Sequence, residues 1–316
     1  MNTKTSIMAK TPALILCALI SCALWGSAFP SIKIGYRLFA VAGSDTGAQM
    51  LFAGLRFFLA GIQVLIFESI RRRKVILPDR AALPGIAVLS LFQTILQYAF
   101  FYTGLAHSTA VKGALITGTT TFFSILTAAL LFRAERLSLL KLLGCLVGFA
   151  GLVLVNLGGT SVSLHAAPLG DALMLLSALS SGISTACLKI FSGKHDPVML
   201  SGWQFSLGGI VLMGIGAGMG GHLHPAGPSA FLLLLYMALI SSVAYTLWGI
   251  LLKYHPVSRV TVFSFTIPIF GVLLSLLFAG ENSTLPFAVF PALALVCAGI
   301  LIVNQVTRRE ASPQSE

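Results

Sequence analysis

The chain alternates between long apolar runs and short polar segments along its whole length. Ten of the runs have roughly the 20 residues that a helix needs to cross the hydrocarbon core of a bilayer. They predict membrane helices at 12–34, 48–69, 83–105, 110–132, 139–157, 168–190, 199–219, 229–252, 257–279 and 285–305. Because only short loops separate them, the pattern predicts an all-α polytopic membrane protein with ten transmembrane helices and no soluble domain.

One apolar stretch occurs twice in the chain. Residues 149–156 read FAGLVLVN, and residues 297–304 read CAGILIVN. Each copy closes a half of the chain that contains five predicted helices. Shorter echoes follow in the same order, for example Arg56-Phe57 in the second helix and Gln204-Phe205 in the seventh. Self-similarity at a fixed period indicates internal duplication.

The duplication predicts two five-helix repeats, one at 12–157 and one at 168–305. Because each repeat has an odd number of helices, the second must enter the membrane from the side opposite to the first. The halves then form an inverted repeat, which is a common construction of secondary transporters.

Composition supports membrane insertion. Hydrophobic residues make up 57% of the chain and charged residues 9%, with a mean hydropathy of +0.95, whereas soluble domains carry about 25% charged residues. The net charge of +11 would suit a nucleic-acid partner, but the basic residues lie in short loops between apolar runs. That placement predicts a lipid bilayer as the partner and no nucleic-acid binding. The first apolar run is longer than a signal-peptide core, so we predict an uncleaved first helix.

The positions of Lys and Arg predict the orientation in the membrane. If the N-terminus is cytoplasmic, all of the 20 Lys and Arg lie on the cytoplasmic side except Lys33, Arg37, Arg56 and Lys112. Cytoplasmic loops of membrane proteins carry such an excess of positive charge. We therefore predict that both termini are cytoplasmic and that the protein lies in the inner (plasma) membrane of the cell.

The order of several short motifs resembles the EamA-type transporters of the drug/metabolite transporter superfamily. The likeness rests on Leu24-Trp25-Gly26-Ser27 with Lys33, on Arg56-Phe57, on Pro268, and on Glu135 and Glu281 after the fourth and ninth helices. The first repeat departs from the pattern, because it has Thr119-Thr120-Thr121 without a proline. The resemblance implies transport without ATP, mostly export of amino acids, other metabolites or toxic compounds.

Polar side chains inside apolar helices are costly and tend to face a cavity or a partner helix. Arg56, near the middle of the second helix, either offers a counter-charge to an anionic or zwitterionic solute or braces the structure, and the sequence leaves both open. Polar and aromatic residues recur at matching depths, which predicts a cavity near the bilayer midplane. The predicted substrate-binding residues are Trp25, Arg56, Gln93, Gln97, Tyr98, Thr117, Thr121, Ser181, Tyr245 and Trp248.

These features predict a secondary transporter, working as an exporter, of a small organic solute that is amino acid-like or partly apolar. No acid lies deep in a predicted helix, so we expect exchange or facilitated movement rather than strict proton antiport. The usual motifs of nucleotide, zinc and serine-hydrolase sites are absent, so we predict no cofactor, no metal and no catalytic residues. A membrane-embedded enzyme or a lipid-handling protein is the alternative.

Glycine-rich helix faces indicate close helix packing. Gly144 and Gly148 form a GxxxG pattern in the fifth helix, and the seventh helix contains Gly214, Gly216 and Gly218. The sequence does not distinguish packing within one chain from a homodimer through these faces.

Overall fold

The computed structural model describes residues 7–107, 116–157, 168–278 and 289–311. These ranges contain helices and short connections but no strand. The helices are α1 (Thr11–Leu38), α2 (Thr46–Arg72), α3 (83–106), α4 (Ile116–Leu131), α5 (Leu139–Leu157), α6 (Pro168–Lys194), α7 (Pro197–Gly218), α8 (Pro228–Tyr254), α9 (257–278) and α10 (Val289–Ala311). They overlap the predicted ranges; the predicted starts at 110 and 285 lie outside the described residues.

The helices have the lengths and composition of a membrane protein. Seven of them (α1, α2, α3, α6, α7, α8 and α10) are long and apolar enough to cross a bilayer, and α4, α5 and α9 contain shorter apolar helices within the described residues. The prediction of an all-α polytopic membrane protein is confirmed in this form. Backbone groups inside a helix bond to each other, which is what a span through hydrocarbon requires.

Three helices depart from regular α-helical geometry. The middle of α3, Ser90–Leu96, is π-helical, and α4 has a turn at Thr119 and ends in a π-helical segment, Thr127–Leu131. In α9, a 3₁₀ segment at Val262–Thr266 precedes the helix that contains Pro268. Such segments interrupt the regular hydrogen-bond ladder and often mark functional sites or hinges.

Helices α2 and α7 approach each other closely along rows of glycines. Glycines spaced by seven residues, two helical turns, place one row on each facing surface. The two rows, here called the glycine seam, are Gly47, Gly54 and Gly61 on α2 and Gly202, Gly209 and Gly216 on α7. A Cβ atom at Gly209 would lie 2.8 Å from the Gly54 carbonyl oxygen and 2.8 Å from the Phe58 Cα atom. The backbones therefore touch, and no larger residue fits without displacing them.

A second glycine contact joins α5 to α10. A Cβ atom at Gly299 would lie 2.6 Å from the Gly144 carbonyl oxygen and 2.7 Å from the Gly148 amide nitrogen. The GxxxG face of α5 is thus covered by α10 of the same chain. Gly214 and Gly218 on α7 face open space, and a homodimer through such a face stays a prediction.

Contacts made by α1 recur in α6 at corresponding positions. Helix α1 packs on α8 and α9, and α6 packs on α3 and α4. A Cβ at Gly26 would lie 2.6 Å from the Phe270 Cβ, and a Cβ at Gly182 would lie 2.6 Å from the Phe123 Cβ. Each glycine lies seven residues before a lysine, Lys33 or Lys189, in the first helix of its half. Each half therefore packs its first helix against the fourth helix of the other half.

Hydroxyl hydrogen bonds repeat the correspondence. Ser21 Oγ donates to the Ala244 carbonyl at 3.3 Å, and Ser177 Oγ donates to the Gln97 carbonyl at 2.8 Å. The first bond joins α1 to α8, and the second joins α6 to α3. The first helix of each half is therefore bonded to the third helix of the other half.

Several helix ends are in contact with each other at one end of the bundle. His255 Nε2, after α8, lies 2.9 Å from the Met8 carbonyl oxygen, just before α1. Lys141 Nζ, at the start of α5, lies 2.6 Å from Glu310 Oε2 in the last turn of α10. The carboxylate of Glu68, near the end of α2, forms ion pairs with Arg71 and Arg72.

Other connections meet at the opposite end of the bundle. The amide of His224, before α8, donates to the Phe39 carbonyl after α1 at 3.0 Å. Gly221, after α7, lies against the backbone of Gly47 at the start of α2. The connecting segments thus form two separate sets, as expected if a membrane divides them.

Glu135 ties the loop after α4 to the start of α9. Its carboxylate accepts from the Ser258 amide at 3.1 Å and from the Ser258 hydroxyl at 2.7 Å. The Ser258 amide is in the first turn of a helix, where it has no intrahelical acceptor. Burial raises the pKa of the Glu135 carboxyl above its ordinary value of 4.5, although the Ser258 hydrogen bonds and the nearby Lys141 act in the opposite direction.

The glycine seam predicts a contrast between two glycines of α7. Gly209→Val should lower the stability of the folded protein by about 1–3 kcal/mol or more, because the new side chain overlaps the α2 backbone. Gly214→Val changes the same helix by the same residue type but meets nothing within 4 Å, so it should unfold close to the wild type. Thermal unfolding of the purified variants, with gel filtration of the folded fraction, measures the contrast. Equal unfolding temperatures for the two variants would contradict it.

The Glu135 contact predicts a pH-dependent stability. A carboxyl with a raised pKa stabilises the fold most when protonated, and this contribution is lost as the pH rises through the raised pKa. The stability of wild type relative to Glu135→Gln should therefore fall as the pH is raised from about 5 to about 8. Glu135→Ala leaves the Ser258 donors without their acceptor and should be less stable than Glu135→Gln by about 1–2 kcal/mol. Thermal unfolding across that pH range tests both, and a wild-type difference that stays constant with pH would refute the titration.

Candidate functional site

Aromatic residues from both halves of the chain meet at the centre of the bundle. The hydroxyls of Tyr98 on α3 and Tyr245 on α8 lie 3.2 Å apart. The rings of Phe57 on α2 and Phe205 on α7 are stacked with centroids 5.4 Å apart. Tyr98 packs on Phe57 at 4.5 Å, and Tyr245 packs on Phe205 at 5.0 Å. These four side chains, the central aromatic cluster, pair corresponding positions of the two halves.

Trp25 extends the cluster to α1. Its ring makes edge contacts with Tyr245 at 5.0 Å and with Trp248 at 4.9 Å. The indole Nε1 of Trp25 and the side-chain Oε1 of Gln97 are buried without a hydrogen-bond partner among the described residues. Gln97 lies beside the Tyr245 hydroxyl. An unpaired donor and an unpaired acceptor thus flank the same tyrosine, and buried polar groups of that kind call for a partner.

Arg56 brings a positive charge next to the cluster. The residue is only 3% exposed, and its Nε and Nη2 donate to Ser241 Oγ at 3.1 and 2.9 Å. Its guanidinium carbon lies 5.1 Å from the Phe57 ring centroid. No ion pair joins it to a carboxylate in the described ranges. A charge in the middle of a membrane helix costs about 2.5–3.5 kcal/mol on insertion scales, and these neutral partners offset only part of it.

Gln204 occupies the position in α7 that corresponds to Arg56. Its Oε1 accepts from Thr94 Oγ1 on α3 at 2.9 Å, while its Nε2 is buried without a partner among the residues described. Thr94 corresponds to Ser241 in the same way, as the third helix corresponds to the eighth. Both halves therefore link the second helix to the other half's third helix through a hydroxyl. The hydroxyl accepts from charged Arg56 in one case and donates to neutral Gln204 in the other.

The remaining predicted site residues lie outside this cluster or at its edge. Gln93 is buried in the π-helical part of α3. Thr121 Oγ1 lies 2.8 Å from Ser264 Oγ and joins α4 to α9. Ser181 on α6 is half-buried, and its carbonyl oxygen accepts from neighbouring hydroxyls of its own helix.

Thr117 and Thr121 do not share a buried face, although they are four residues apart. The side chain of Thr117 is exposed, whereas that of Thr121 is buried. In a continuous helix, residues four apart lie on the same face. The turn at Thr119 interrupts α4 between the two residues, so the regular periodicity does not carry across it.

Several residues of the centre were not among the predicted site residues. They are Phe57, Thr94, Gln204, Phe205 and Ser241. A phenylalanine in an apolar run has no local signal that marks it as functional. The sequence echo does align Arg56-Phe57 with Gln204-Phe205, and the pairing of two halves through equivalent residues would have identified them.

The chemistry available at this centre is that of noncovalent binding. It offers aromatic faces, an unpaired N–H donor, an unpaired carbonyl acceptor and one fixed positive charge. No group of three His, Cys, Asp or Glu that could hold a metal occurs in the described part of the chain. Concave sites with apolar walls and a few placed polar groups are typical for small organic ligands.

Comparison with known proteins agrees with this chemistry. Residues 13–157 and 168–305 match the EamA-like transporter family. An uncharacterised transporter of Archaeoglobus fulgidus is 27% identical over 277 residues, which cover 86% of this chain and 88% of the relative. A probable terminal-alkyne amino-acid exporter of Streptantibioticus cattleyicolor is 25% identical over 301 residues, covering 91% and 93%.

A solved crystal structure has the same fold. The superposition covers 96% of this chain and 100% of the other, with a TM-score of 0.77 and 18% sequence identity. The family match confirms the resemblance seen in the short motifs over residues 13–157 and 168–305. Since the family and its named relatives are transporters and not enzymes, the chain is an integral, multi-pass membrane transporter that belongs to the EamA-like transporter family.

Proposed function

We propose that the protein is a secondary transporter that exports a small, partly apolar organic solute by alternating access. The observation that carries this proposal is the central aromatic cluster, in which Tyr98 and Tyr245 meet at 3.2 Å. One residue comes from each half of the chain, so any movement of the halves relative to each other changes the site. A carrier needs this property, because its site must open first to one side of the membrane and then to the other.

We place ten membrane-spanning helices in two inverted repeats, 12–157 and 168–305, with both termini in the cytoplasm of the inner (plasma) membrane. The two separate sets of loop contacts support this arrangement. The set that contains Met8, Lys141, His255 and Glu310 is the one in which the positive charges concentrate. An inverted repeat also accounts for the corresponding contacts of α1 and α6.

Alternating access in this protein would use the exchange of equivalent contacts between the halves. Helix α1 is bonded to α8 through Ser21, and α6 is bonded to α3 through Ser177. Loosening one of these contacts while the other holds would open the centre to one side only. The π-helical segment of α3 and the 3₁₀ segment of α9 are the places where a helix can change shape at low cost.

The lining favours an amino acid-like or partly apolar solute. Aromatic rings supply apolar contact area, and Trp25 and Gln97 supply an unpaired donor and acceptor. The relative in Streptantibioticus cattleyicolor is named as a probable amino-acid exporter, which agrees with this class. The binding residues we propose are Trp25, Arg56, Gln93, Gln97, Tyr98, Thr121, Ser181, Tyr245 and Trp248, with Thr117 at the cavity margin.

Coupling by exchange or facilitated movement fits the acidic residues better than strict proton antiport. The carboxylate of Glu68 forms ion pairs with two arginines at the end of α2, and the carboxylate of Glu135 accepts a hydrogen bond from the first turn of α9. Glu281 lies outside the described residues. Proton-driven carriers place a carboxylate or histidine within the membrane, and the central aromatic cluster has none.

Transport in sealed vesicles tests the proposed function and site together. We expect saturable, solute-specific flux without chemical change of the solute; metabolites exported by overexpressing cells identify the solute to use. Gln97→Ala, Tyr98→Ala and Tyr245→Ala should each reduce flux about fivefold or more, since each removes a hydrogen-bonding group from the centre. Ser181→Ala should reduce flux less than these variants, because the Ser181 hydroxyl contributes less to solute binding.

Tyr254→Ala is the matched control for this experiment. Tyr254 lies on the same helix as Tyr245 but is 41% exposed and outside the aromatic cluster. Its flux should equal that of wild type at equal amounts of inserted protein. Normal flux in all three centre variants would show that the solute binds elsewhere, and absence of flux in the wild type would reject the transport mechanism itself.

Reporter fusions test the proposed topology. A reporter that is active only outside the cytoplasm should stay inactive when fused after Arg309 and become active when fused after His224, which lies at the other end of the bundle. A fluorescent reporter that matures only in the cytoplasm should give the reverse result. Activity of the external reporter at Arg309 would contradict the orientation of the ten helices.

A further inference from the structure

Arg56 carries a charge that helix packing alone does not require. It is buried, its hydrogen-bond acceptor Ser241 is neutral, and its charge faces the Phe57 ring rather than a carboxylate of the described chain. The charge is also close enough to the hydroxyls of Tyr36 and Tyr102 to interact with them. Every described contact of the guanidinium is therefore neutral, although a buried charge is stabilised best by an opposite charge.

The corresponding position in the other half shows what packing alone needs. There, Gln204 bonds to Thr94 across the same pair of helix types. A neutral amide is thus sufficient to join the second helix of one half to the third helix of the other. The positive charge at Arg56 is an addition to this scheme and calls for a separate explanation.

We propose that Arg56 binds the carboxylate of the transported solute, so that the carrier selects monocarboxylates, including zwitterionic amino acids, over neutral amides of the same shape. This inference rests on the proposed transport function and names the class of solute for the same site. The carboxylate provides the counter-charge that the described part of the chain does not. Arginine and carboxylate form paired, charge-assisted hydrogen bonds that are stronger than bonds to a neutral hydroxyl.

The hydrogen bonds to Ser241 leave part of the guanidinium available for this role. Ser241 accepts from Nε and Nη2 only, whereas a guanidinium carries five N–H donors. The Nη1 donors are not used by Ser241 and can meet a carboxylate. From Arg56, the Phe57 ring leads to Tyr98 at 4.5 Å and from there to the Tyr245 hydroxyl at 3.2 Å. A solute bound through its carboxylate would place its apolar part along these rings.

Three probes with one ring and different head groups test the inference. They are phenylacetate, phenylacetamide and 2-phenylethylamine, which present an anion, a neutral amide and a cation. Binding to purified wild-type protein in neutral detergent is followed by tryptophan fluorescence, since Trp25 and Trp248 adjoin the cluster. We expect phenylacetate to bind about tenfold or more tightly than the amide, and the amine to bind most weakly.

Variants separate a binding role from a structural one. Arg56→Gln should fold, because Gln204 already makes the equivalent bond, and it should bind acid and amide equally within about threefold. Arg56→Lys keeps the charge and should retain part of the acid preference. Arg37→Gln removes an exposed positive charge from the end of α1 and should leave the preference unchanged.

The outcomes decide between the inference and its alternatives. If wild type shows no preference for phenylacetate over phenylacetamide, or if Arg56→Gln keeps the wild-type preference, the inference is overturned. If Arg56→Gln does not fold, the decision falls on wild type and Arg56→Lys: a clear acid preference in both supports the inference, and its absence in either overturns it. Vesicle flux is measured separately, so a transporter without acid preference loses only this inference, whereas absence of flux rejects the proposed function.

Discussion

The close approach of α2 and α7 is the constraint on which the centre of the molecule depends. Inside a bilayer, apolar side chains gain little by leaving lipid for protein, so helix association relies on tight packing and polar contacts. The glycine seam provides such packing, because rows at Gly54 and Gly209 bring the two backbones into contact. Larger residues there would hold the helices apart by the width of a side chain.

The seam also determines what can meet beside it. Phe57 and Phe205 project from the two touching helices, so their rings stack at 5.4 Å. Stacking fixes the planes against which Tyr98 and Tyr245 pack, and the tyrosine hydroxyls then come within hydrogen-bond distance. The centre is therefore built from successive contacts between halves, with no covalent link across it. A site of this kind belongs to neither half alone.

The sequence predicted those features that depend on local pattern. Apolar length located the helices, and the depth of Tyr98 and Tyr245 located two residues that the structure brings together. Features that depend on partners across the bundle were not predicted: Ser241 as the acceptor for Arg56, and the stacking of the two phenylalanines. The turn at Thr119 in α4 and the π-helical part of α3 were not predicted either, because apolar composition does not reveal irregular turns inside a helix.

The difference between Arg56 and Gln204 bears on how a carrier with two equivalent halves can bind its solute in one orientation. Two equivalent halves would present the solute with the same groups from both sides, and a solute with unlike ends could bind in either orientation. A charge in only one half removes this ambiguity, because one end of the solute is then attracted to α2 and the other is left for the neutral groups near α7. This position can carry either a charged or a neutral side chain. In both cases a hydrogen bond joins it to the facing hydroxyl, which is Ser241 for Arg56 and Thr94 for Gln204. On this proposal, the duplicated fold supplies the packing, and the charge present in only one half supplies the selectivity.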